Sequence, residues 1–284
     1  MKRFPFILSF VAAVLCSAAG GRARGQSAAR PLAFRTGEEL TYTAGYASTM
    51  LTTDVATVTF RLSEGRVAAG PAYRIWAQGV TKPFFSVFFR VNDVYETWLD
   101  TATLRPLYAT SEVQEGNYRY RSRQWFDWTK GEVRTYGKNL KKGYERGRTM
   151  AIGESDFDPV GHFFNLRSLP SISAMRKGEA GFLNLVMIDT IRTIRYVYQG
   201  REIVEAPATG RVRCMKFSCQ LATGDAQSFK EGSEFLIWIS DDENRIPIYM
   251  ETPIRVGRVQ ATLTGWKNLA HPFSSRLADG GKRK

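Results

Sequence analysis

The chain has 284 residues, 43% hydrophobic and 24% charged, and its 40 Lys and Arg outnumber 27 Asp and Glu to give a net charge of +13. That is enough apolar sequence for one or two packed domains, while two histidines and three cysteines leave few ligands for a structural transition-metal site. No nucleic-acid-binding motif accompanies the basic charge, which suits anionic lipid headgroups, lipopolysaccharide or other polyanions, or simply a solvated surface.

The chain opens as a targeting segment. Met1-Lys2-Arg3 is a basic head, Phe4 to Ala19 an apolar run, and small residues follow to Gly25. This order reads as a secretory signal peptide over 1–25, and the run is short for a membrane span, which needs about 20 apolar residues. Cleavage fits after Ala19 or after Gly25. Leu15 rather than a small residue precedes Cys16, which argues against a lipidated cysteine. Losing Lys2, Arg3, Arg22 and Arg24 leaves the mature chain near +9. No later segment reaches spanning length, so a mature chain without a membrane span is expected.

Residues 26–284 read as one β-rich domain. Leu40, Tyr42, Ala44 and Tyr46 alternate with Thr41, Thr43 and Gly45. Similar runs follow over 55–62, 72–79, 91–99, 107–113, 118–128 and 133–136, with turns expected at Glu64-Gly65, Gly70-Pro71 and Lys130-Gly131. Residues 139–157, rich in Lys, Gly and Arg, read as a long surface loop. The second half repeats the pattern over 183–189, 191–198, 203–206, 211–221, 234–240, 246–250 and 257–266. Period-two alternation broken by turn residues predicts an antiparallel sheet. A sheet of this many strands must curl, pack on another or close. The expected fold class is mostly β: a curled antiparallel sheet, half-barrel or barrel-like, with one or two short helices. The C-terminal tail is expected to be loose from about residue 274.

Of the two helical segments, the stronger is 158–169, where Asp158 suits the N-cap, Pro159 the first turn and Pro170 the stop. The weaker, 81–90, carries Phe84, Phe85, Phe88 and Phe89, which would share one helical face. Exposed, these rings would form an apolar lip able to touch acyl chains or a partner. Buried, they would plug one end of the sheet, and this is the favoured reading. Lys82, Phe84, Phe85, Phe88, Phe89 and Arg90 together make the best candidate ligand-binding set, since an amphiphile could place its tail among the rings and its anionic head on Lys82 or Arg90. Cys214 and Cys219 lie in one strand-like run, about 16–17 Å apart if straight, so two buried thiols without a disulfide are expected.

Several landmarks lie in a familiar order. They are Gly37-Glu38-Glu39-Leu40-Thr41-Tyr42, Tyr95 to Asp100 with Thr103-Leu104-Arg105-Pro106, Asp158-Pro159 with Phe163, Phe164, Leu166 and Arg167, Trp238 to Asp242, and Arg245-Ile246-Pro247-Ile248. The chain resembles the exported bacterial family called domain of unknown function 3108. The resemblance implies an exported β-rich protein and no particular activity.

Recognisable catalytic chemistry is sparse. Glu154, Asp156, Asp158 and His162 could form a carboxylate–His cluster, but a helix cap beside an ordinary helical histidine explains them more simply. Ser240 to Asn244 lacks the spacing of a calcium loop, and no Gly-x-Ser-x-Gly elbow occurs. Linear order does not reveal which acids meet in space, so a carboxylate pair stays open. The expectation is an exported, non-enzymatic envelope protein, periplasmic or otherwise secreted, without cofactor or metal. It would bind a lipid or other apolar or amphiphilic ligand in a curled-sheet cavity, or assist envelope assembly with a protein partner. The alternative is a hydrolase acting on envelope carbohydrate or lipid.

Overall fold

The computed structural model of the protein describes residues 32–48, 52–223, 228–229, 234–254 and 257–278. The signal peptide expected over 1–25 lies outside them. The chain first runs through β1 (Glu39–Ala47), β2 (Thr52–Val67), β3 (Gly70–Thr81), a one-turn helix α1 (Pro83–Ser86), β4 (Asn92–Asp100), β5 (Pro106–Glu115), β6 (Tyr118–Asp127), β7 (Glu132–Asn139), β8 (Glu145–Ala151) and β9 (Asp156–Phe157). Helices α2 (Pro159–Arg167) and α3 (Ser171–Ala174) follow. The second half is β10 (Ala180–Val186), β11 (Ile191–Ala206), β12 (Gly210–Thr223), β13 (Ser228–Phe229), β14 (Phe235–Ser240), β15 (Pro247–Pro253) and β16 (Arg258–Lys267).

One sheet joins these strands in the order β8-β7-β6-β5-β4-β3-β2-β1-β16-β15-β14-β12-β11-β10-β9, with β13 pairing on β12. The short β9–β10 pair is parallel and the other pairs are antiparallel. Alternation sets the faces: β4 buries Val91, Asp93, Tyr95, Thr97 and Leu99 at its start and along its length, and leaves the residues between them half-exposed. The path is open as a ladder yet closes through side chains. Gln124 of β6 donates to the Val186 carbonyl at 2.9 Å, and the Thr135 hydroxyl of β7 donates to the Ile188 carbonyl. Ala109, Phe126, Val133 and Val186 pack across the same seam. The result is the expected mostly-β, barrel-like class.

Helix α2 occupies the interior. Asp158 accepts from the Gly161 N–H at 3.0 Å, the N-cap bond that starts it. Seven of its nine residues are buried. Phe163 stacks on Phe60 of β2 with centroids 4.8 Å apart, and Phe164 meets Phe34 edge-on at 5.2 Å. An aromatic helix thus packs inside the curl of the sheet.

Four local expectations are corrected. The stretch 139–157 is not all loop: β8 pairs with β7 and β9 with β10. Because β8 is an almost fully exposed edge strand, it carries no apolar alternation to read. Glu64-Gly65 is not a turn but lies within β2, opposite Tyr73 and Ala72, and the chain reverses at Ala68-Ala69. The tail does not loosen at 274. Ser275 is fully buried, and Arg213 and Leu277 bond the Ser275 and Arg211 carbonyls, adding a short bridge to β12. A third helix, the one-turn α3, adds to the one or two expected.

Candidate functional site

The loop between β3 and β4 begins at Lys82-Pro83, whose proline presets the first helical turn. Phe85 and Ser86 donate their N–H groups to the Lys82 carbonyl, and Phe89 donates to Phe85. Thr81 and Val91 bond across the base, where the Val91 N–H meets Thr81 Oγ1 at 2.6 Å. The Lys82 N–H reaches the Val55 carbonyl, and the Gly116 N–H reaches the Arg90 carbonyl. The loop is therefore braced from both sides by β2 and by the β5–β6 turn.

Its rings point outward. Phe84 is 71% exposed, Val87 82% and Phe88 78%, while Phe89 is about half-exposed. Phe84 touches Phe85 and Phe88 edge-on, with centroids 5.0 and 6.0 Å apart. Only Phe85 is half-buried, beside the half-exposed Lys82; Arg90 is exposed. The favoured reading of this segment as a buried plug is thus overturned: α2 already fills the interior, and the braced backbone turns the rings to the outside. The structure does bring the six candidate residues together as one apolar knob edged by cations.

An antiparallel meander places alternate loops at the same rim, and the knob has neighbours of like character. The β7–β8 loop presents Leu140 and Tyr144 beside exposed Lys141 and Lys142. The β15–β16 loop presents Ile254, followed by exposed Arg258. Sequence alternation contained the signal that these loops share an end, but not their exposure.

The carboxylate–His cluster does not assemble. His162 is buried, stacks on Phe157 at 4.9 Å and places Nε2 2.8 Å from the Asn184 carbonyl. Burial pushes its imidazole down to about 4. Asp158 is the helix cap, also bonded by Thr97, and burial pushes its carboxyl up to about 6 against these hydrogen bonds. Asp156 accepts from Asn184 and the Gly153 N–H, and Glu154 pairs at the surface with Arg105. Among the described residues no three His, Cys, Asp or Glu side chains gather as a metal site. Cys214 and Cys219 are buried and form no disulfide; burial pushes the Cys214 thiol up to about 12.

Two buried groupings escaped the sequence reading. Arg167 of α2 forms a two-pronged ion pair with Glu38, at 2.6 and 2.9 Å, with both side chains 1% exposed. Near the knob, Asp93 of β4 lies buried beside Glu115 of β5 and accepts from the Gln114 N–H at 2.8 Å. Burial pushes Asp93 up to about 7; the Gln114 bond opposes this, and Glu115, by charge and hydrogen bond, adds to it. Counting inward positions of β4 and β5 would have put both acids on the buried face. Two clefts, of about 390 and 200 Å3, open on the outer face of β4–β7.

A family model described as "Protein of unknown function (DUF3108)" matches residues 41–264. The crystal structure of a β-barrel-like protein of domain of unknown function DUF1849 from Brucella abortus superposes with a TM-score of 0.54 and 12% identity, covering 83% of this chain and 99% of that one. At that identity the likeness is one of fold. No curated protein matches the sequence.

Proposed function

The chain belongs to the DUF3108 family of proteins of unknown function, and from that premise we propose that it is an exported, non-enzymatic protein of the periplasm or cell envelope that docks on anionic amphiphile surfaces through its apolar, basic rim. The observation that carries this reading is the exposure of Phe84, Val87 and Phe88 on a hydrogen-bonded turn edged by Lys82 and Arg90. Rings held outward against water have their polar backbone already satisfied, so entering an acyl boundary gains apolar burial at little cost in order. Lys82, Arg90, Lys141 and Lys142 would then stand at headgroup level. No helix among the described residues is long and apolar enough to cross a membrane.

Co-sedimentation with phosphatidylglycerol vesicles tests the docking. The wild type is expected to bind, and to bind less as salt rises. Each buried Phe is worth about 1.5–3 kcal/mol, so Phe84→Ser/Phe88→Ser, which removes two, should weaken partitioning by about a hundredfold or more. Its melting temperature should hardly move, because both rings are exposed in the free protein. Wild-type protein that stays in the supernatant, or a double variant that pellets like it, would overturn the reading.

Export is tested separately. The basic head, apolar run and small-residue exit lead us to expect, in the envelope fraction, a chain cut between residues 19 and 26 and without acyl mass on Cys16. An intact mass that still includes Met1 would refute this.

A further inference from the structure

The outer face of β4–β6 carries a row of three aromatic rings. Trp98 is in register with Tyr108, and Tyr108 with Trp125. Their centroids are 5.2 and 5.7 Å apart, with tilts of 38° and 41°, and all three are half-exposed. On β2, Gly65 keeps one end clear: a Cβ there would stand 3.3 Å from the Trp98 ring. Guanidinium groups close both ends of the row, Arg74 at 5.9 Å from Trp98 and Arg134 at 4.6 Å from Trp125. Beside the rings runs a polar row in register, Glu96, Thr110 and Arg123. The 390 Å3 cleft is lined by Trp98 and Tyr108 of the ring row and by all three members of the polar row, and Trp125 continues the ring row beyond its edge. Its two acids are already neutralised, Glu96 by Arg74 and Glu112 by Arg121. Arg123 and Arg134 make no ion pair with any described residue, so the face keeps a net positive charge.

We infer that this cleft binds an acidic glycan chain. The face of a sugar ring is apolar C–H surface that stacks on aromatic rings, and three rings stepping across adjacent strands offer such a platform at the interstrand spacing. Sugar hydroxyls need fixed donors and acceptors, which Thr110 and the oriented Glu96 carboxylate supply. Carboxylates on the chain match the planar forks of Arg123 and Arg134. The tilt between successive rings suits a chain that turns from one sugar to the next more than a stack of flat bases. The site lies on the barrel wall and is independent of the rim.

Titration with hexagalacturonate, followed by tryptophan fluorescence, tests it, because Trp98 and Trp125 are in the platform. A saturable change is expected for the wild type. Tyr108→Ala and the surface charge reversal Arg123→Glu should each weaken binding by about tenfold or more, and Phe84→Ser/Phe88→Ser should bind as the wild type does. Circular dichroism of Arg123→Glu should match the wild type, which keeps the test valid if Tyr108→Ala folds poorly. No response at millimolar glycan, an unchanged affinity in Arg123→Glu, or binding of single-stranded oligothymidylate in place of the glycan would overturn the inference.

Discussion

Arg167→Met is expected to lower the unfolding free energy by about 3–5 kcal/mol, because it strands the Glu38 carboxylate in the interior. The guanidinium is bonded through all three of its nitrogens. Besides both Glu38 oxygens it bonds the Asn244 carbonyl at 3.0 Å and the Ala33 carbonyl at 3.0 Å, and it lies over the Phe163 and Phe164 rings. The same junction ties down the described ends of the domain. Asn244 holds the His271 and Pro272 carbonyls, His271 reaches the Leu32 carbonyl, and Arg245 caps the Arg167 carbonyl. Losing one charge therefore costs more than one hydrogen bond. Glu38→Leu/Arg167→Met, which removes both charges, should recover much of the loss, since apolar replacement of a whole buried pair is often close to neutral. The exposed Arg61–Glu39 pair on the neighbouring strands is the control: Arg61→Met should cost about 0–1 kcal/mol. Urea denaturation midpoints measure all three. An Arg167→Met protein as stable as the control would show that the pair is not the interior lock described.

Asp93→Asn is expected to stabilise the protein at pH 8 by about 2–4 kcal/mol and to leave it nearly unchanged at pH 4. In the fold, burial and the adjacent Glu115 raise the Asp93 carboxyl from its ordinary 3.8 to about 7. A raised pKa means that the native state holds a proton the unfolded chain has released. Stability from this group is therefore complete below about 4 and is lost as pH rises toward 7. Asparagine imitates the protonated carboxyl: Oδ1 still accepts from Gln114, and the amide can donate to Glu115. His162 works in the opposite sense. Its depressed pKa gives a contribution that is present above 6.5 and is lost as pH falls toward 4. The difference between wild type and variant, measured by urea denaturation across pH 4–8, cancels His162 and isolates Asp93. A difference that is flat with pH, or that favours the wild type at pH 8, would show that the fold does not hold Asp93 protonated. The position also matters for the rim, since Glu115 bridges to Val91 and Gly116 bonds Arg90 at the foot of the aromatic knob.

The Glu38–Arg167 junction gives the family resemblance a structural content. Glu38, Phe163, Phe164, Arg167, Asp242 and Arg245 all belong to the stretches on which it was based, and in the fold they meet. Asp242 accepts from Ser240, Asn244 and Ser275, while Arg245 links its turn to Ser173 and to the end of α2. Their chemistry is that of a lock which closes the barrel around its helix.

By itself, the sequence determined the local geometry. Period-two runs such as Asn92–Asp100 state which side chains share a face, and Asp158-Pro159 states where a helix starts, because both are short-range consequences of backbone pitch and capping. The same alternation already placed Asp93 and Glu115 on inward positions, a signal that needed only to be counted. It was silent where a strand has no buried face, as in β8, whose exposed Arg146 and Arg148 look like loop. It was also silent on what each face meets. Where α2 packed, whether Phe84 and Phe88 turned in or out, and that Glu38 would find Arg167 129 residues away were decided only when the sheet curled. A pleat specifies a face, but the partner of that face depends on closure: once α2 had taken the interior, the rings of the β3–β4 loop were left at the surface.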